Sequence, residues 1–183
     1  MCLDKGGQAA PQSMNHQIHF KPSLNNHQKA ASNKIKRLEM SKKETWRTRI
    51  YWEIVGGFLV EEFNATKLDR STGVARRLID GVIINGEDFG NQIGGTRDIK
   101  GKDIVAIQTK GTRLSMGLMG QALFSRDLLE KHNPRSVESV AICATGDSVL
   151  EEIADKHNIK VVIIPDGLQS DEKLITELRR ELT

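Results

Sequence analysis

The chain has 183 residues, 38% of them hydrophobic and 28% charged, with a formal net charge of +3. That length suits one domain, and the composition is neither fibrous, collagenous nor membrane-like. No window approaches the ~20 consecutive apolar residues that cross a bilayer, no apolar run follows the N-terminal charges as a secretory signal requires, and the two distant cysteines, Cys2 and Cys143, exclude a zinc finger and a disulfide scaffold.

The charge is unevenly spread. Residues 1–39 carry six Lys or Arg (Lys5, Lys21, Lys29, Lys34, Lys36, Arg37) against Asp4 and Glu39, so the leader is basic and residues 40–183 are close to neutral. The body therefore has no basic excess of the kind that holds nucleic acid nonspecifically. The leader is rich in Gln, Asn, Ser, His and Lys, without a helix or strand period, and is expected to be disordered because it cannot bury enough apolar surface to offset its ordering entropy. Met40 opens the patterned region and is a candidate start; residues 40–183 are read as one α/β domain. Aromatics are only 4%, so the core is expected to rest on Ile, Leu, Val, Ala and Met. Cys143 lies in an apolar run and reads as a small buried residue, which suits a reducing cytosol and a cytoplasmic protein.

In chain order, Ser41 can cap a first helix carrying Ile50, Tyr51 and Ile54, which Gly56-Gly57 ends. Residues 58–63 read as a strand, 64–73 as a polar turn region and 77–85 as a second strand. A long Gly-rich loop follows from Gly86 to Gly101. Residues 103–110 (DIVAIQTK) form a third strand, apolar through its middle as a buried strand should be. The leucines from Leu114 to Leu129 then fit a helix reaching about His132, broken by Asn133-Pro134. A fourth strand is expected over 136–144, a helix over 147–156 with Asp147 as cap and an early acid, a fifth strand over 160–164 stopped by Pro165, and an amphipathic helix over 171–182. The order α-β-β-β-α-β-α-β-α indicates a mixed sheet with helices on its faces.

Three residues stand out chemically. Asp80 is a lone acid in an otherwise apolar strand, and Gln108 and Lys110 end the most apolar strand in the chain. Alternation puts Gln108 and Lys110 on the face of Ile104 and Ala106, and Asp80 on that of Val82 and Ile84. If the two strands pair, an acid, an amide and an ammonium converge. A buried charge is costly unless paired or metal-bound, so the alternatives are a functional site or a plain Asp80–Lys110 ion pair at the sheet rim. Gly117 and Gly120 are unusual inside a helix and suggest close approach of a ligand or of another backbone; Met116 and Met119 read as core filler. The histidines have no partners at metal-ligand spacing.

With Ile79-Asp80-Gly81 on the second strand and Gln108-Thr109-Lys110 ending the third, the element order resembles the PD-(D/E)xK, or restriction-endonuclease-like, nucleases. The Q-x-K form is similar to that of Mrr-type endonucleases, and the core order to that of archaeal Holliday-junction resolvases. The motif's proline is missing and Gln108 stands where the second acid is usual. The resemblance spans roughly Thr45 to Ala144: an α-β-β-β-α-β core, with a C-terminal α-β-α extension beyond it. It implies a Mg²⁺- or Mn²⁺-dependent endonuclease acting on DNA, with RNA left open, and a homodimer where two strands are cut. On the same basis Asp80, Gln108, the Thr109 carbonyl and a further acid, Glu53 by preference with Glu61 and Glu62 as alternates, hold the metal. Lys110 then assists the attacking water. Glu61 and Glu62, being adjacent on a strand, are expected on opposite faces. Arg76, Arg77 and Arg113 could grip phosphates or be a solvated rim, and Gln121 could touch nucleic acid or simply face solvent. A module that keeps the fold but binds without cleaving is the alternative function; a small-ligand domain built on the βαβα tail is a third, weakened by the lack of a Gly-rich phosphate turn.

Overall fold

The computed structural model describes residues 44–168 and 172–182. The leader, Met40, the Ser41 cap and Asp171 lie outside the described residues. The chain runs α1 (Thr45–Val55), β1 (Phe58–Thr66), β2 (Arg77–Ile84), β3 (Gly90–Ile93), β4 (Asp103–Thr109), α2 (Met116–Glu130), β5 (Ser136–Cys143), α3 (Ser148–Lys156), β6 (Ile159–Ile163) and α4 (Glu172–Leu182). The strands form one six-stranded mixed sheet in the order β3-β1-β2-β4-β5-β6. β2 is antiparallel to both β1 and β4, whereas β3 pairs with β1, β5 with β4 and β6 with β5 in parallel. The fold is thus α/β, with helices on both faces.

Each face follows from alternation. Leu59, Ile83, Val105 and Ile107 point to one side, where Ile50, Tyr51 and Trp52 of α1 and Leu178 of α4 cover them. Val60, Val82, Ile84, Ile104 and Ala106 point to the other, under Leu129 of α2. Further along that second face Leu118 and Ala122 of α2 pack with Ala141 and Cys143 of β5 and Ala154 of α3. The central strand β4 is buried from Ile104 to Thr109, as an apolar strand covered on both faces must be.

Local chemistry sets the boundaries. Gly56 and Gly57 both have positive φ, +83° and +81°, and turn the chain from α1 into β1; a Cβ on Gly57 would lie 2.7 Å from the Ile84 carbonyl oxygen. Ser115 caps α2 through the Leu118 amide. At α3, Asp147 accepts from the Leu150 amide while the Glu151 carboxylate accepts from the Asp147 amide, a reciprocal cap. The buried Arg47 donates to the Ile164 carbonyl and pairs with Asp166, fastening α1 to the chain just past β6.

One element departs from expectation. The stretch Gly86–Gly101 is not all loop: Gly90–Ile93 adds β3 to the outer edge of β1. The strand has only four residues, none of them fully buried. It is held by backbone pairing, and no hydrophobic alternation announces it.

Candidate active site

β2 and β4 are paired from Ile84–Ile104 to Gly81–Ile107, and there the ladder ends. One residue further on, Asp80 Oδ2 accepts the Thr109 amide at 2.8 Å, so a side chain takes the N–H just past the end of the ladder. Alternation turns Gln108 toward α2, where its Nε2 donates to Ser125 Oγ at 2.8 Å. It turns Thr109 toward α1, where its hydroxyl meets that of Thr48 at 2.8 Å. Gly81 permits this approach: a Cβ there would lie 2.8 Å from Thr48 Cγ2. Lys110, just beyond the strand, reaches Glu44 at 3.6 Å, and the other Glu44 oxygen accepts the Gly111 amide.

Asp80, Gln108 and Lys110 line one cavity of about 740 Å³, whose opposite wall is α2. Asp80 also borders a second, smaller hollow of about 140 Å³ beside α1, lined by Glu44, Thr48, Glu61, Glu62 and Thr109. It therefore stands between the two. Burial pushes its carboxyl above the usual range, and the Glu44 and Glu62 charges add to that, against the Thr109 amide and Lys110. A buried acid held up by neighbouring acids is a place where an added cation is favourable.

The neighbouring acids are arranged by a break in β1. Glu62 has φ +51° and falls opposite Asp80, between the Glu61–Gly81 and Phe63–Ile79 pairs. Val60 and Phe63, three residues apart, both enter the α2-side core, so the alternation slips at this point. Glu61 and Glu62 consequently border the same hollow instead of opposite faces of the sheet. Glu61 is buried and gripped by Arg49 through two hydrogen bonds of 2.7 and 3.0 Å.

Glu53 borders neither hollow. Its Oε2 is buried without a hydrogen-bond partner, and burial pushes the carboxyl up to about 7, against the pull of Arg179 and Arg49. The acid that α1 does bring near Lys110 is Glu44, at its N-terminal end. The sequence reading placed the helix cap at Ser41 and did not single out Glu44, which caps the helix in the fold. Among the described residues, no three His, Cys, Asp or Glu side chains are grouped as a metal ion would need.

The other expected contacts divide. Arg77 and Gln121 line the larger cavity. Arg76 does not, and Arg113 turns to Asp147, 4.0 Å away at the start of α3. Gly117 and Gly120 face the cavity; a Cβ on Gly120 would meet nothing within 4 Å and one on Gly117 only Ser115 Oγ at 3.8 Å. Among the described residues, no second backbone explains them. Met119 is buried as core, but Met116 is 77% exposed on the cavity wall, a correction to its reading as filler.

No family model matches the chain, no curated protein matches its sequence, and no solved structure matches its fold. No helix among the described residues is long and apolar enough to cross a membrane.

Proposed function

We propose that the protein is a metal-dependent nuclease of the restriction-endonuclease-like class, hydrolysing phosphodiester bonds in DNA. The observation that carries this reading is the convergence of Asp80, Gln108 and Lys110 on one cavity at the point where β2 and β4 part. Their order along the chain and their places around the end of the β2–β4 ladder agree with the Asp and Gln-x-Lys resemblance.

The residues suit Mg²⁺ or Mn²⁺ in part. Mg²⁺ is commonly held by one or two carboxylates, with water and phosphate completing its shell. Asp80 offers a carboxylate oxygen not taken by the Thr109 amide, and Glu62 opposes it across the strand pair. We assign the second acid to Glu62, which falls opposite Asp80, with Glu44 beside Lys110, in preference to Glu53. When bound, the cation would polarise the scissile phosphate and lower the pKa of an attacking water. Lys110 holds that water's developing charge, and Arg77 and Gln121 orient the strand along the α2 wall.

A second reading has specific support. Gln108 spends its amide on Ser125, and Lys110 is engaged by Glu44, as in a module that has kept the nuclease frame for binding alone. The two readings separate on supercoiled plasmid and single-stranded DNA in Mg²⁺, Mn²⁺ or EDTA. Nicking that requires metal and vanishes in Lys110→Ala supports the nuclease; retention of DNA without cleavage in any metal supports the binding module.

A further inference from the structure

The cavity wall opposite Asp80 is unusual in its chemistry. Met116, Gly120 and Phe124 lie at i, i+4 and i+8 on α2 and so share one face of the helix. Met116 is 77% exposed and Phe124 64%, whereas Gly120 between them leaves a notch: among the described residues, nothing outside its own helical turn lies within 4 Å of where a Cβ would stand. Leu78 of β2, 42% exposed, adds apolar surface from across the cavity. The Cα span from Met116 to Phe124 is about 12 Å at ~1.5 Å per residue. That leaves room between the two side chains for one or two flat rings.

Polar groups surround this notch. Gln121 is next to Gly120, Lys110 and Asp80 lie across the cavity, and Lys131, Arg77 and Asp127 also line it, so that three cations face two acids. An occupant would therefore have a flat apolar face, edges that hydrogen-bond with an amide, and negative charge on the links that reach the cations. A glycine in a helix interior sacrifices local stability, and among the described residues no neighbouring chain segment requires Gly117 or Gly120.

We infer that the α2 face is a stacking platform for unpaired nucleobases, so that the substrate is single-stranded nucleic acid or a duplex with unpaired bases beside the cleaved link. A base stacks on Phe124 over the Gly120 notch with Met116 on its far side, and the adjoining phosphate lies toward Asp80 and Lys110. Paired bases in a duplex cannot present a ring face to the notch. The inference rests on the nuclease-type reading of Asp80, Gln108 and Lys110, and it adds the class of strand that the site takes.

The test uses the full chain in EDTA, with a fluorescent 12-nucleotide single strand and its duplex as probes. Affinity is read by anisotropy for wild type, Phe124→Ala, Phe124→Tyr and Gly120→Leu. Charge from the leader contributes equally to every variant, so the comparison isolates the platform. Base–aromatic stacking predicts that Phe124→Ala weakens single-strand binding about 5- to 100-fold. Gly120→Leu should do so comparably by filling the notch, while Phe124→Tyr retains binding and duplex affinity barely changes. Circular dichroism and melting establish that each variant is folded. Equal affinity for single strand and duplex, or single-strand binding indifferent to both Phe124→Ala and Gly120→Leu, would overturn the platform. Dimerisation in sedimentation that Phe124→Ala abolishes would also overturn it, since a second copy would then cover this face. Metal-dependent cleavage that survives these variants unchanged removes the platform but leaves the nuclease reading standing; absence of cleavage by wild type in any metal removes the latter.

Discussion

Replacing Glu53 by Gln separates a structural acid from a catalytic one. In the fold, burial holds the Glu53 carboxyl at about 7, against an ordinary value of 4.5. The folded value lies above the unfolded one, so the fold favours the neutral acid. That contribution is fully present below pH ~4.5 and is lost as pH rises through ~7. At ~1.36 kcal/mol per pH unit, the difference corresponds to at most about 3.4 kcal/mol. Glu53 is only partly buried, so solvent screening reduces the loss to about 1–2 kcal/mol. Glutamine keeps the shape and cannot ionise. Glu53→Gln should therefore match wild type in urea unfolding at pH 4.5 and exceed it by about 1–2 kcal/mol at pH 8, which is roughly 2–8 °C in melting temperature. Cleavage should be retained, because Glu53 borders neither hollow. A variant less stable than wild type at pH 8 would refute the reasoning: the ionised carboxylate would then have a partner stronger than its desolvation. Loss of cleavage with stability intact would return Glu53 to the metal site.

Three other substitutions probe the frame around the site. Arg49→Met strands the buried Glu61 carboxylate and should destabilise by about 3–5 kcal/mol in urea unfolding, most of it recovered in the double variant with Glu61→Met. Gly81→Ala drives a methyl to 2.8 Å from Thr48 Cγ2 and 3.3 Å from Leu59 Cδ1; a loss of about 1–3 kcal/mol is expected, and an unchanged unfolding midpoint would show that α1 is free to move away. Gln108→Glu adds a charged oxygen beside Asp80 and should tighten Mn²⁺ binding about tenfold by calorimetry; weaker binding would mean that position 108 does not face the cation.

The parts of the fold legible in the sequence are those built from side-chain periodicity. β2, β4 and β5 have apolar runs bounded by Gly, Pro or charge, and α3 carries its reciprocal cap openly as Asp147 and Glu151. The shared face of Gln108 and Lys110 with Ile104 and Ala106 followed from alternation alone, and all of Asp80, Gln108 and Lys110 border the same cavity. Features set by the backbone were not legible. β3 is an edge strand made by main-chain pairing, with nothing in Gly-Asn-Gln-Ile to mark it. The left-handed Glu62 breaks the alternation of β1, so the assumption of opposite faces for Glu61 and Glu62 failed where the candidate site lies. Glu44 became visible only once the end of α1 was seen beside the turn after β4. The exposed Met116 could not be told from a core methionine by type, although the two helix glycines beside it were unusual in a helix.

The most direct test of the account is metal-dependent cleavage measured together with metal binding on the same samples of wild type, Asp80→Asn and Lys110→Ala. Wild type should bind Mn²⁺ and cut single-stranded DNA, Asp80→Asn should lose both, and Lys110→Ala should keep the metal but cut at least about a hundredfold more slowly, the scale of one lost transition-state contact. Cleavage by Asp80→Asn at the wild-type rate, from a folded sample, would contradict it.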